Sequence, residues 1–569
     1  MVRRYKSALS RTAAIVIVII IVIAAIAAFF IFTQAPPQPS PTSPTSPSPS
    51  PTTSTPPPTP SLTGDFRVDA ISLGRYFEAR GINEIKYTVW AAGDPNSVMR
   101  MYGIVEGAEK INAIWSEEGI NVEVTVEKYW QDSFHALYDE FLSAVPQGTN
   151  GDFFVNSYVF IASLAEEGYI LDITSYVNAY SSEFADFYTP LMKAAQYGGK
   201  YYGVPQDTEA RPLYIRKDVA DCMNWDLTDL AERVKNGEFT WYDVYEKAMA
   251  AKEAGCSTWG LIHRKGSAHP DLIQFIFAFG GELYDEAENK LVVDKEAIYK
   301  WFAVEYAFAR AGLLPEDIMA WDWAQQIHPT IVSGDTLFDI GGTWYWTEWQ
   351  TKKYYTDPET GEARALTPEE VAENFYYTLF PAGEPGKSPV TLSQPFMWMI
   401  ASNAGKDNPG YNEHSEAYHM LAFLIVVGAS DAEINAVHSI ISAHVPVRKA
   451  AADLLNDESW IQRLVNLELD LSDETKNAIR DIVAATAKPE NIAFLADVSY
   501  MLDYTKLAPS HPLYPKLADI FKEAIDKVIR GALTPEEAVN YVIQKIQADP
   551  DLSGNVLIVG EIPSGWEFP

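Results

Sequence analysis

The chain has 569 residues, with 43 Lys and Arg against 77 Asp and Glu, a formal net charge of −34. That balance repels phosphate backbones and anionic headgroups, which sets nucleic acid aside as a partner. Hydrophobic residues make up 47% and aromatic residues 13% of the chain, ample for packed cores, and the length exceeds what a single core serves.

Residues 13–32, AAIVIVIIIVIAAIAAFFIF, form an uncharged apolar run that at helical rise covers the ~30 Å hydrocarbon thickness of a bilayer. Arg3, Arg4, Lys6 and Arg11 precede it and no charge follows before Asp65. The positive-inside bias therefore leaves residues 1–12 in the cytoplasm and everything after 32 outside, a chain held at the cell surface by one transmembrane helix. A cleaved secretory signal is the alternative, although such apolar regions usually run ~7–15 residues. Residues 33–66 are rich in Pro, Ser and Thr, a composition that builds no core and favours extended polyproline II, so they read as a disordered stalk.

Beyond the stalk, Ile85–Trp90 reads as a strand, and Ile104, Ala108, Ile111 and Trp115 recur at helical spacing. Val122, Val124 and Val126 alternate as a second strand, Phe134, Leu137, Tyr138, Phe141 and Leu142 mark a second helix, and Asp152–Val155 begins a third strand. Strands alternating with helices predict a mostly parallel sheet, with ligand loops at the strands' carboxyl ends. Thr240, Thr367 and Thr534, each with an acid three residues on, read as helix starts. Past Lys449 the period is mostly helical. Cys222 and Cys256, 34 positions apart in an exterior domain, form either one disulfide or two buried thiols.

From Gly198 to Pro205 (GGKYYGVP) and on through QDTEARPLYIRKD to Asp218, the chain resembles the extracellular solute-binding proteins of ABC importers, family 1, which include the maltose-binding proteins. Asp152–Thr174, Trp259-Gly260, Gly280–Asp285, Gly341–Trp346, Pro446–Ala450 and Glu523–Glu537 resemble further landmarks of that family, in its order. The resemblance implies an α/β, two-lobed periplasmic-binding-protein-like fold of type II, its lobes joined by crossing strands and closing over a solute. It places the solute-binding domain at 67–569, with lobe 1 near 84–207 and 396–447, lobe 2 near 208–395 and 448–548, and a C-terminal tail at 549–569. It also implies a protein that is no enzyme and uses no cofactor. The expected ligand is a sugar or oligosaccharide, and delivery needs permease subunits with a separate ATPase.

Sugars offer flat CH faces and hydroxyl rims, so their sites need aromatic platforms beside carboxylates, amides and Arg. Glu209 matches the family's acid after the first crossing, with Asp207 and Arg211 two residues to either side on the same strand face. Trp344, two residues past Gly342, matches its platform Trp, and Trp346 is a second candidate. Asn156 and Tyr158 fall where relatives place first-lobe contacts, although maltose binders carry Trp and Asp there, a departure that leaves the solute's identity open. Asp94, in the turn after the first strand, bonds a hydroxyl or caps its own turn. Trp130 and Gln131 end the second strand, His269 and Asp271 precede the helix into Gly280-Gly281, and Gln394 and Tyr514 complete the set.

Gly386-Lys387-Ser388 imitates the end of a phosphate loop, but Pro381 stands where the first Gly is needed. No His-Glu-x-x-His occurs, and the spacings His414/His419 and His438/His444 do not stack on one helix face, so no metal site is expected. Asp357–Glu362 lacks a calcium-loop pattern and reads as a hairpin tip. The competing readings are a binding protein for peptides or another polar solute, a secreted glycoside hydrolase, and an adhesin, the last expected to carry tandem β-domains that are absent here.

Overall fold

The computed structural model describes residues 59–264 and 270–569. The predicted span, the residues before it and the stalk up to 58 lie outside them. Among the described residues no single helix is long and apolar enough to cross a membrane. The expected stalk boundary at 66 falls inside structure: Asp65 caps a helix over Phe66–Glu78, and the Thr63 and Gly64 amides already donate to buried Asp69.

Two sheets organise the molecule. Their strands are β1 (Glu84–Ala92), β2 (Glu123–Gln131), β3 (Phe153–Ser157), β4 (Val204–Asp207), β5 (Leu213–Arg216), β6 (Trp259–His263), β7 (Thr336–Ile340), β8 (Phe375–Thr378) and β9 (Phe396–Ile400). The first sheet has the order β2-β1-β3-β9-β4, with β1 parallel to β2 and β3, and β9 antiparallel to β3 and β4. This is the expected β-α-β-α-β start, closed by two strands returning from later in the chain. The second sheet, β8-β5-β7-β6, pairs β7 parallel to β6 and both β7 and β8 antiparallel to β5.

The predicted helix faces bury as their spacing requires. Ile104, Ala108, Ile111 and Trp115 of helix Met99–Glu117 all lie in the core. This helix packs on helix Tyr411–Ala429, and the approach needs glycine on both sides, because a Cβ at Gly107 would collide with the Ile425 carbonyl while Gly428 faces the Gly107 backbone. Capping boxes start helices at Thr240, Thr367 and Thr534. Cys222 and Cys256 are joined in a disulfide, their Cα atoms 5.9 Å apart, which ties helix Lys217–Cys222 to the turn after helix Trp241–Glu253.

The end of the chain is part of the packing. Val556–Val559 pairs parallel with strand Lys290–Asp294, the Trp566 indole donates to Glu384 Oε2 at 3.0 Å, and Phe568 rests on Tyr242 with ring centroids 5.0 Å apart.

Candidate ligand-binding cleft

The chain passes between the two sheets twice, from β4 to β5 and from β8 back to β9. The chain leaves β4 at Asp207 and reaches β5 at Leu213. On the way Thr208 pairs antiparallel with Val445, so the segments around 208 and 445 lie side by side. Thr391–Leu392 pairs parallel with Thr505–Lys506, and the Arg211 amide donates to Thr391 Oγ1 at 2.7 Å. These contacts hold the connecting segments together where the sheets meet.

Beside them opens a cleft of about 600 Å³. Asp94, Arg100, Phe134 and Phe396 line it from the first sheet's side, and Arg264, Trp323, Trp344 and Glu348 from the second. The connecting segments add Glu209, Arg211, Gln394 and His444.

The second wall is built on one short helix, Tyr345–Thr351, with Trp344 at its N-cap. Trp344, Thr347, Glu348 and Thr351 are spaced i, i+3, i+4 and i+7, so one helix face turns all four into the cleft. Gly342 is required there, since a Cβ would strike both the Arg211 guanidinium and the Trp344 indole. Trp323 stacks on Trp344 with centroids 5.4 Å apart and planes 26° from parallel, and its indole donates to Glu348 Oε1 at 3.0 Å. The Arg264 guanidinium lies 5.3 and 5.4 Å from the two ring centres, a cation–π brace for the pair.

Charge in the wall is arranged in alternation. Arg211 Nη2 donates to Glu209 Oε1, Arg211 Nε lies 3.0 Å from Asp271 Oδ1, and Arg264 Nη2 donates to Asp271 Oδ1 at 2.8 Å. Two carboxylates and two guanidiniums thus neutralise one another in a buried chain, the condition under which buried charge is tolerated. Burial pushes the Glu209 carboxyl up, against the pull of Arg211 and Arg264. Asp271 is fully buried and sits one layer behind the lining. Asp339, on β7 behind the same network, is buried with neither carboxylate oxygen hydrogen-bonded. Burial, aided by the Asp271 charge, holds it well above the usual carboxylate range.

On the opposite wall Arg100 donates to both oxygens of Asp207, at 2.8 and 3.2 Å, and its guanidinium lies 3.6 Å from the Phe396 ring centre. Burial alone would raise the Asp207 carboxyl, but Arg100, His444 and His438 hold it well below the usual range. Asp94 lines the cleft and also makes the alternative contact: its Oδ1 accepts from the Asn96 amide at 2.8 Å and its Oδ2 from Ser97 Oγ at 2.7 Å.

Of the predicted site residues, the structure brings Asp94, Glu209, Arg211, Trp344 and Gln394 to the cleft surface, with Asp207 and Asp271 immediately behind it. The others are elsewhere. Asn156 is fully buried, its amide donating to the Phe134 carbonyl at 2.8 Å, so it fixes the start of the helix that presents Phe134. Tyr158 donates to the Ala508 carbonyl at 2.8 Å and faces a separate crevice of about 590 Å³. Gln131 bonds Tyr129 and Glu140, and Trp130 packs half-buried against the core. Trp346 is buried, stacks on Phe494 at 4.1 Å and donates to Asn491 Oδ1 at 3.0 Å. Tyr514 is buried in helix Tyr514–Ile529. His269 lies outside the described residues.

The expectation that His438 and His444 stay apart is overturned. Spacing on a helix is the wrong measure, because helix Ala432–Ser442 ends at Ala443 in the left-handed conformation with φ 54°, and the reversed chain returns His444 to within 2.9 Å of His438. Arg100, Phe134, Arg264, Trp323, Glu348 and His444 were not anticipated as cleft residues. Only Glu348 had a readable signal, one helical turn beyond Trp344.

Residues 101–425, more than half of the chain, match the bacterial extracellular solute-binding protein family. Among solved structures, the fold is similar to the GacH receptor of Streptomyces glaucescens, at 14% identity and a TM-score of 0.56 over 84% of this chain and 100% of that one. It is likewise similar to the cyclic alpha-maltosyl-1,6-maltose binding protein from Arthrobacter globiformis, at 13% identity and a TM-score of 0.55 over 83% and 100% of the two chains. The sugar-binding protein MalE from Xanthomonas citri matches at 14% identity and a TM-score of 0.55 over 81% and 96%. Sequence and fold converge: the chain is a member of the bacterial extracellular solute-binding protein family.

Proposed function

We propose that the protein is the solute-binding component of an ABC importer and that its cleft takes a sugar or oligosaccharide, without chemical change. The observation that carries this reading is the pairing of the Trp323–Trp344 wall with Phe134 and Phe396 across a cleft rimmed by Glu209, Arg211, Gln394 and Asp94. Flat aromatic faces match pyranose CH faces, while fixed carboxylate, guanidinium and amide groups match hydroxyls. The similar GacH receptor was solved with acarbose, and the Arthrobacter relative is a binding protein for a cyclic maltosyl-maltose, which supports a carbohydrate for this cleft.

In this reading the lobes divide near 207–212, 391–395 and 443–447, and closure would bend those segments. The N-terminal apolar run tethers the domain to the membrane through the Pro-rich stalk, and permease and ATPase are separate chains. A thermal-shift screen of the full-length chain against sugars and peptides tests the ligand class, since a solute at 100 times its Kd stabilises by about 2.7 kcal/mol. The carbohydrate reading requires a sugar to shift the melt. It fails if peptides do so and no sugar does.

A further inference from the structure

At the back of the cleft, three buried side chains bring potential ligand atoms within 4.8 Å of one another. Asp207 ends β4, His438 lies on helix Ala432–Ser442, and His444 follows the reversal at Ala443. His438 Nε2 is 3.2 Å from Asp207 Oδ2, His444 Nδ1 is 3.4 Å from Asp207 Oδ1, and the two ring nitrogens are 2.9 Å apart. Protons alone serve this arrangement poorly. The facing nitrogens cannot both carry hydrogen at that separation, so a single N–H serves both the other imidazole and the carboxylate.

We propose that Asp207, His438 and His444 form a site for a borderline divalent metal ion of the zinc type. Tetrahedral coordination at ~2.0–2.2 Å sets ligand atoms about 3.3 Å apart; the two ring nitrogens, 2.9 Å apart, and the contact each makes to its own Asp207 oxygen, 3.2 and 3.4 Å, lie near that spacing. The donor set, two imidazoles and one carboxylate, is the kind such ions take when one position stays open. Arg100 donates to both oxygens of the same carboxylate, as an outer-shell partner does. Its positive charge opposes the ion, so the site binds more weakly than a closed structural zinc centre. His444 also lines the cleft, which gives the ion its route in. Because Asp207 and His444 flank the paired Thr208 and Val445, a bound ion would fasten two connecting segments to each other.

The test uses the full-length chain, stripped with a chelator and titrated with zinc chloride by calorimetry. One ion per chain is expected, with a rise in melting temperature on loading. His438→Ala and His444→Ala should each weaken binding by at least the ~100-fold that marks loss of even an outer-shell partner, whereas His419→Ala should leave it unchanged. X-ray absorption on the wild-type zinc complex provides a measurement that does not depend on the variants folding, and two imidazole nitrogens in the ion's first shell are expected. Absence of stoichiometric zinc, zinc retained by the His438→Ala/His444→Ala double variant, or a first shell without two imidazoles each overturns the assignment.

Discussion

Replacing Trp344 with Ala removes half of the stacked wall that faces the cleft. The indole is partly exposed there, backed by Trp323 at 5.4 Å and braced by Arg264. A sugar ring lying on one face would cover roughly 100 Å² of it, worth about 2.5 kcal/mol at ~25 cal/mol per Å², which is about a 60-fold rise in Kd. The stability cost should stay below the ~3–5 kcal/mol typical of a fully buried Trp, because Trp323 keeps its bond to Glu348. Trp346→Ala provides the contrast. That ring is buried against Phe494, so its loss should cost the full ~3–5 kcal/mol and leave Kd nearly unchanged. Calorimetric titration with whichever solute the thermal screen returns, alongside urea melts of both variants, measures the two quantities separately. An unchanged Kd in Trp344→Ala, or a larger affinity loss in Trp346→Ala, refutes the assignment of the cleft wall.

Three further outcomes follow from particular contacts. Glu209→Gln deprives Arg211 of a charge-assisted partner at the cleft surface, and solute affinity should fall by the ~1.5–3 kcal/mol of such a bond, read by calorimetry. Asp339 has a folded pKa above its unfolded value, so the folded protein binds the extra proton and stability falls as pH rises above the ordinary carboxylate range. Asp339→Asn should remove up to about 1.4 kcal/mol of that loss per pH unit, seen as a flatter dependence of urea-melt stability between pH 5 and 8, and an unaltered slope would contradict the burial argument. Cys222→Ser opens the loop closed with Cys256 and should cost about 4 kcal/mol in the chain-entropy estimate, measured by thermal melts with and without reductant.

Much of the scaffold was legible because short-range chemistry decides it. Alternating Val122, Val124 and Val126, the spacing of Ile104 to Trp115, and the boxes at Thr240, Thr367 and Thr534 each specify an element through interactions within a few residues. The helix at Phe66–Glu78 was missed because the Pro-rich stretch before it drew the stalk boundary past its start. Within the cleft, Glu209, Arg211 and Trp344 were found from motif position. Trp346 was misplaced because two residues along a helix are a rotation of about 200°, which turns one indole to the cleft and the other to the core.

What the sequence determined by itself was the order of strands and helices, their caps, and the family to which that order belongs. The tertiary structure decided which charges meet. Asp271 lies 60 positions after Arg211, and its role as the shared acceptor for Arg211 and Arg264 exists only once β5 and β6 share a sheet. Asp207 is joined to His438 and His444 across more than 200 positions, through a left-handed turn at Ala443 that no spacing rule foretells. The reason is physical: local propensity acts over a few residues, whereas a buried charge cluster is stable only where several distant segments exclude water together.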